Sequence, residues 1–288
     1  MADRVAVTKT WKLFIGGAFP RTESGRSIAF QDGSGRVVAH LCQGSRKDLR
    51  DAVEAAHGAQ PKWAAASGYL RGQILYRLAE MIEGRTEEFV AALRQTGRRG
   101  RGSAEREVAA AVEMVVSFAG WCDKLDSVLG SRNCVNGDYY NFSAPEPVGV
   151  VVAIGPSDAP MLGSLAVILP ALAAGNSVVL LAPESEPVPA LLLAETCATA
   201  DIPPGVINVL TGMEAELAPH IASHREIDAI VAAVEVDTAS LLAAGVAENL
   251  KRVSIIDPSA DFTEERFRSP VTFGAVVNIK TIWHPVAQ

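Results

Sequence analysis

Residues 149–212 read GVVVAIGPSDAPMLGSLAVILPALAAGNSVVLLAPESEPVPALLLAETCATADIPPGVINVLTG, and this stretch decides the fold. Runs of β-branched residues alternate in it with loops and apolar helices, and the alternation continues beyond it. Strands are predicted at 148–154, 177–182, 206–209, 228–233 and 251–256. The helices between them are predicted at 160–174, 187–200, 213–222 and 235–248. Repeated strand–helix units with right-handed crossovers predict an α/β fold with a doubly wound parallel sheet.

The chain before this stretch predicts two short strands and four helices. The strands are expected at 13–15 and 36–41, because glycines bound both runs. Apolar residues that recur at helical spacing indicate a packed core and carry no functional assignment. The helices are expected to begin near Ser45, Leu70, Thr86 and Ser103.

Residues 132–143 predict a β-hairpin. The dipeptide Asn136-Gly137 between two short strands favours a two-residue type I′ turn. Tyr139 and Tyr140 would then point to opposite faces of the second strand, so at least one is expected to be exposed. A two-stranded hairpin alone is marginally stable in water, so a partner for it is expected. An irregular polar segment follows Pro258 as far as residue 268, and a β-rich run at 271–286 ends the chain.

Composition and charge exclude several classes of protein. The 288 residues are 49% hydrophobic and 20% charged, which is typical of a globular protein with a buried sheet. A net charge of −7 argues against nucleic-acid binding. The basic cluster at 94–106 is interpreted as a solvated loop, with an anion or partner site as the alternative. The longest apolar run, 161–175, is too short to cross a bilayer, so no membrane partner is expected.

The cysteines at 42, 122, 134 and 197 show no spacing typical of a metal site, and no metal ligand is assigned. Their isolation favours a reducing compartment. The segment MADRVAVTKTWK lacks the apolar region of a signal peptide. We therefore expect a cytoplasmic protein.

Several segments together resemble the nucleotide-binding half of the aldehyde dehydrogenase superfamily. Among its members, the chain is most similar to the degenerate second module of the two-module family-16 proteins, which lacks the catalytic cysteine. The segments that carry the resemblance are LFIGG at 13–17, Trp63, Arg71, EPVGV at 146–150, ALAAGN at 171–176, PPGVIN at 203–208 and KTIW at 280–283.

The resemblance implies a division of the chain into three parts. A Rossmann-like nucleotide-binding domain would comprise residues 1–130 and 145–258, with an oligomerisation hairpin at 131–144 inserted in it. Residues 259–288 would form a linker and a C-terminal oligomerisation strand. The family's catalytic domain has no counterpart in this sequence.

Two family positions on the predicted loops carry altered residues. The family's Pro-Trp-Asn loop supplies an amide that stabilises an oxyanion, whereas this chain has Pro156-Ser157-Asp158. An ionised Asp158 would repel the developing negative charge. Leu181 stands where a lysine contacts the adenosine ribose, although Glu184, the second ribose contact, remains.

The later family positions are altered as well. Val234 and Ala239 stand where two glycines let the backbone approach a pyrophosphate at a helix N-terminus. Ile256 stands where the family has its general-base glutamate, and the Gly-Gln-x-Cys nucleophile motif is absent from the sequence. The resemblance therefore assigns no catalytic residue.

These substitutions lead to one leading interpretation and three alternatives. In the leading interpretation the chain is a non-catalytic subunit that assembles with a complete aldehyde dehydrogenase, or else with further copies of itself. No bound cofactor is expected in this interpretation. NAD or NADP contacting Glu184 would instead make the chain a nucleotide or small-ligand sensor. It could also act as an NAD(P)-dependent aldehyde oxidoreductase only within a heteromer, or as an altered enzyme using Asp158, His220 and His224. The expected interface residues are Tyr139, Tyr140, Lys280, Ile282 and Trp283.

Overall fold

In a computed structural model, residues 7–286 are described, and they form three β-sheets flanked by helices. The strands are β1 (Lys9–Trp11), β2 (Ser27–Gln31), β3 (Val37–Cys42), β4 (Ser131–Asn133), β5 (Tyr139–Pro147), β6 (Val150–Ile154), β7 (Ser177–Leu181), β8 (Ile207–Leu210), β9 (Ala229–Ala233), β10 (Arg252–Ile256) and β11 (Val277–Pro285). The helices are α1 (Arg46–Ala65), α2 (Gly68–Glu83), α3 (Thr86–Leu93), α4 (Arg101–Trp121), α5 (Leu125–Leu129), α6 (Leu162–Ala174), α7 (Val188–Cys197), α8 (Glu214–Ser223) and α9 (Val236–Gly245).

The central sheet confirms the predicted doubly wound parallel arrangement. Its five strands are all parallel and lie in the order β10-β9-β6-β7-β8. Strands β6 to β9 are buried on both faces, which explains why their sequences are continuous apolar runs without alternation. One face packs against α1, α8 and α9, and the other against α4, α6 and α7. After β8 the chain returns to the opposite side of β6, so a crevice opens at the carboxyl ends of β6 and β9.

Helix α6 is the centre of the core, because all of its residues are buried. It ends at Gly175, whose φ of 95° lies in the left-handed region that favours glycine. The Asn176 side chain then donates to the carbonyl oxygens of Ala171 and Val276, at 3.0 Å each, and accepts the N–H of Gly149 at 2.9 Å. No helix among residues 7–286 is both long and apolar enough to cross a membrane.

The predicted hairpin belongs to a three-stranded antiparallel sheet with the order β11-β5-β4. Its partner is the chain's own β11, which pairs with β5 along nine residues. The prediction of a type I′ turn is wrong. The last β4–β5 pair is Asn133↔Asn141, and Asn136 lacks the positive φ that this turn requires. Tyr139 and Tyr140 are both exposed.

The N-terminal strand prediction at 13–15 is also wrong. The strand is β1, at Lys9–Trp11, and it pairs with β3. Phe14 forms only an isolated bridge to Val209, because the chain turns back at Gly16 and Gly17, both with positive φ. Strand β2 has no counterpart in the sequence-based prediction, whereas β3 matches the run predicted at 36–41.

The segment between β10 and β11 is more ordered than its polar sequence predicts. It contains two 3-10 helices, Glu265–Arg268 and Pro270–Ala275, so the final strand begins at Val277 and not at 271. Phe262, Phe267 and Phe273 are buried. The Phe273 ring lies edge-on to Phe118 and Trp121, with ring centroids 5.8 and 6.1 Å apart. Residues 259–276 therefore pack as part of the core against α4 and α6.

The basic cluster at 94–106 is only partly a solvated loop. The Arg99 side chain is only 13% exposed. It forms ion pairs with Glu107, at 3.4 Å, and with Glu186. It also donates to the backbone carbonyl of Asp158, while Glu107 accepts the N–H of Met161 at 3.0 Å. Burial raises the pKa of the Glu107 carboxyl, and the Arg99 charge opposes that rise. This network fixes the loop between β6 and α6.

Substituting Phe273 tests whether residues 259–276 belong to the core. The Phe273→Ala variant should lose about 3–5 kcal/mol of unfolding free energy, because a fully buried ring is removed. Val271→Ala is the matched control, since Val271 is 84% exposed in the same 3-10 helix. Urea unfolding of both variants measures the difference. Equal stabilities would mean that the segment is not part of the cooperative core.

Substituting Arg99 tests the buried ion network. Arg99→Met leaves the Glu107 and Glu186 carboxylates buried without their cation and should cost about 3–5 kcal/mol at neutral pH. The loss should shrink as the pH falls toward the ordinary glutamate value of 4.5. Since the raised pKa lets the folded state take up a proton before the unfolded chain does, falling pH favours folding.

The matched control for Arg99 is Arg101→Met. Arg101 pairs with Glu87 and Glu105 on the surface, so its loss should leave stability and its pH dependence unchanged. Urea unfolding at several pH values measures both variants. A cost for Arg99→Met that did not vary with pH would contradict the role given to Glu107.

Candidate functional site

A cleft of about 140 Å³ opens at the carboxyl ends of the central strands. It lies at the switch in strand order, where open α/β sheets bind their ligands. The loop that follows β6 forms one wall and is fixed by the Arg99 network. The volume of the cleft is smaller than the roughly 300–1,000 Å³ of most small-molecule sites.

Four of the residues singled out from the sequence line this one cleft. Asp158 comes from the loop after β6, Leu181 ends β7, Glu184 follows it, and Val234 follows β9. Leu181 and Val234 are buried and present only hydrocarbon to the cleft. The fold therefore brings these four residues together at one edge of the central sheet.

The other two positions lie elsewhere. Ile256 ends β10 and lines a separate cavity of about 420 Å³ beside α6 and the 3-10 helices. Ala239 lies within α9 and packs against the core that includes Leu242. Neither residue is among those that line the cleft between the strand ends.

The charged residues that line the cleft are all acidic. They are Asp158, Glu184, Glu214 and Glu235, and no lysine or arginine of residues 7–286 joins them. Such a lining produces a negative potential, which favours cations and disfavours anions.

The Glu184 carboxylate already has a structural role. Its Oε2 atom accepts the backbone N–H of Glu214 at 2.9 Å. Glu214 is the first residue of α8, and its N–H has no acceptor within the helix. Glu184 therefore caps α8 and places a negative charge at the positive end of the helix dipole. This contact could not be predicted from the sequence, because Glu184 and Glu214 are thirty positions apart.

The histidines proposed as acid–base groups do not reach the cleft. His220 lies in the last turn of α8, and His224 follows the end of that helix. The Nδ1 atom of His224 accepts the N–H of Glu226 at 3.3 Å, and burial lowers the pKa of His224. Neither histidine lines the cleft beside Asp158.

The cysteines offer no activated thiol in the cleft. Burial raises the pKa of Cys122 and of Cys197 to about 12, so both stay protonated at neutral pH. Cys42 is buried as well, and Cys134 is exposed beside the hairpin loop. Within residues 7–286, no three His, Cys, Asp or Glu side chains are grouped so as to hold a metal ion.

The residues predicted at an interface lie together on the β11-β5-β4 sheet. Tyr139 packs edge-on against Trp283 on one face, with ring centroids 5.7 Å apart. Tyr140, Ile282 and Lys280 lie on the other face, because side chains alternate along each strand. Trp283 is 56% exposed, and Ile282 is exposed too, so neither face is fully covered.

Comparison with known proteins places this architecture in a family. The sequence pattern of the aldehyde dehydrogenase family matches residues 21–256. "Aldehyde dehydrogenase family 2 member B4, mitochondrial" of Arabidopsis thaliana is 32% identical over 250 residues, covering 85% of this chain and 46% of that protein. The putative aldehyde dehydrogenase DhaS of Bacillus subtilis is 30% identical, with 85% and 50% covered.

Solved structures agree with the sequence comparison. An aldehyde dehydrogenase from Bacillus cereus, solved as its NAD+ complex, superimposes with a TM-score of 0.82 at 29% identity, covering 85% of this chain and 50% of that one. A putative aldehyde dehydrogenase from Burkholderia cenocepacia gives the same TM-score and coverage at 30% identity. The chain thus spans about half the length of the relatives it matches. It belongs to the aldehyde dehydrogenase family.

Proposed function

We propose that this chain is a non-catalytic subunit that assembles with a complete aldehyde dehydrogenase, in the manner of a degenerate second module of the family-16 type. The observation that carries the proposal is the β11-β5-β4 sheet, whose long outer strand and aromatic side chains are exposed. The lining of the cleft supports the non-catalytic part of the proposal.

The residues at the family's chemical positions supply no group for aldehyde oxidation. Ile256 has a hydrocarbon side chain where a general base is required and cannot accept a proton. Asp158 presents a carboxylate where an oxyanion needs a hydrogen-bond donor. The Cys122 and Cys197 thiols are buried outside the cleft. A partner that contributes its own active site would make up for all of these losses.

The lining also fits a dinucleotide poorly. A pyrophosphate at the start of α9 would meet Glu235 and Val234, a carboxylate and a branched side chain. The Glu184 carboxylate is engaged with α8. Like charges at short range are repulsive, and no lysine or arginine among the lining residues offsets them.

The exposed sheet supports assembly. β11 is an outer strand of its sheet, and among residues 7–286 no strand pairs with its other edge. A long exposed edge with apolar side chains promotes association, and pairing with a strand of another protein removes it. Ile279, Ile282 and Trp283 on this strand are all exposed. Covering Trp283 alone would contribute about 2 kcal/mol.

Affinity purification of the tagged chain at its native expression level tests the assembly. A full-length aldehyde dehydrogenase should co-purify in stoichiometric amount. Trp283→Ala should weaken its retention at least tenfold, about 1.4 kcal/mol or more. Tyr76→Ala is the matched control, since Tyr76 is an exposed aromatic residue on α2 and away from the sheet. A chain that purifies alone as a homogeneous monomer would overturn the proposal.

A second candidate is a ligand sensor that uses the cleft, and it is favoured by the NAD+ complex of the Bacillus cereus relative. Titration calorimetry of the pure chain with NAD, NADP and adenine nucleotides separates the two functions. We expect no saturable heat up to about 1 mM ligand, with a complete aldehyde dehydrogenase as positive control. Saturable heat that Glu184→Ala abolishes would instead support the sensor. Aldehyde oxidation by the pure chain would contradict both functions.

A further inference from the structure

We propose that Asn136-Gly137, in the loop between β4 and β5, is a site of spontaneous deamidation in the folded protein. The backbone nitrogen of Gly137 attacks the side-chain Cγ of Asn136, and the side-chain amide leaves as ammonia. The new C–N bond closes a five-membered succinimide, and the Gly137 amide proton passes through solvent to the leaving group. Water then opens either carbonyl of the ring, giving aspartate or isoaspartate at position 136.

The residue that follows Asn136 distinguishes it from the other asparagines of the sequence. The chain has seven asparagines, and Asn136 is the one followed by glycine. A glycine has no Cβ to hinder attack by its own nitrogen, and its backbone reaches conformations that other residues avoid. The remaining asparagines precede Cys, Phe, Ser, Val, Leu and Ile, whose side chains crowd the attacking nitrogen.

The structure leaves this position free to react. Asn136 is exposed and lies beyond the last β4–β5 pair, Asn133↔Asn141. Among residues 7–286, no acceptor receives the N–H of Gly137, so its nitrogen is not held in a ladder. Gly137 has a φ of 111°, which sets it apart from the regular strands on either side.

Other asparagines are held in place by contrast. The Asn176 and Asn208 side chains are fully buried, and the amide group of each makes two hydrogen bonds to backbone carbonyls. Asn141 is buried within β5, and its side-chain oxygen accepts from Asn133 at 2.6 Å. A fixed side chain cannot turn its Cγ onto the following nitrogen, so these positions should remain intact.

The product would alter the end of the β11-β5-β4 sheet. A carboxylate would replace a neutral amide three positions before the first residue of β5, and isoaspartate would add an atom to the backbone path of the loop. Tyr139 is the first residue of β5 after this loop, and its ring contacts Trp283 on β11. A weakening of partner binding with age is therefore expected, and this consequence alone rests on the proposed function.

Ageing of the purified full chain, followed by peptide mapping with mass spectrometry, tests the site. In mildly alkaline buffer, where the attacking nitrogen loses its proton more readily, the Asn136 peptide should convert at least about tenfold faster than any other asparagine peptide, because only it has the glycine. An isoaspartyl methyltransferase labels the isoaspartate fraction. Asp32 is also followed by a glycine, Gly33, and can form isoaspartate in the same way, so its peptide is resolved separately.

Two variants and one unfolded control complete the test. Asn136→Gln should remove the labelled product, and Gly137→Ala should slow it about tenfold. Circular dichroism confirms that each variant is folded. Conversion in the urea-unfolded chain but not in the folded chain would overturn the proposal, and so would equal rates at several asparagines.

The mass readout needs no partner, so its result is independent of the proposed function. Fresh chain, aged chain and aged Asn136→Gln are then compared by retention of the full-length aldehyde dehydrogenase. Weaker retention of the aged chain only, with the variant unaffected, supports the consequence at the interface. Confirmed deamidation with unchanged retention would overturn that consequence and leave the modification site standing.

Discussion

The side chain of Asn176 joins three parts of the molecule that are far apart in sequence. It accepts the N–H of Gly149 before β6, and it donates to Ala171 in α6 and to Val276 before β11. The side chain is fully buried, so each lost bond would leave a polar group without water. Gly175 makes the geometry possible, because its left-handed backbone turns the chain from the end of α6 into β7. The starts of β6 in the central sheet and of β11 in the β11-β5-β4 sheet are therefore held by the same buried side chain.

The framework and the cleft obey different constraints. Residues such as Gly175 and Asn176 are fixed by backbone geometry and buried hydrogen bonds, so the fold depends on them whatever the protein does. Leu181 and Val234 sit in the cleft and satisfy packing alone, which any apolar residue of suitable size could do. A shared fold with relatives is therefore compatible with different chemistry at the strand ends.

Much of the fold could be predicted from the sequence, because a strand buried on both faces is a continuous run of β-branched residues. The type I′ turn of the hairpin could not be predicted correctly, because β4 pairs with β5 at only three positions and the pairing ends at Asn133↔Asn141, several residues before Asn136-Gly137 would close a tight turn. Phe262, Phe267 and Phe273 follow no helical or strand period, so their burial left no pattern to read. The sequence singled out Leu181 and Val234 as altered family positions, and the fold brings both to one cleft. Arg99 is one of several arginines in residues 94–106, and nothing in the sequence distinguished it as the partner of Glu107.

After β10, the chain covers one apolar surface of the core and leaves another, the outer edge of β11, exposed. The family match ends at Ile256, and the next residues fold Phe262, Phe267 and Phe273 onto α4 and α6, which closes that side of the core. Beyond them, Asn176 holds the start of β11, and the outer edge of that strand stays unpaired with Trp283 exposed. A segment of eighteen or so residues was enough to cover the first surface. Since the same chain leaves a nine-residue edge open directly afterwards, the contrast between the covered and the open surface is what the proposed assembly with another protein would explain.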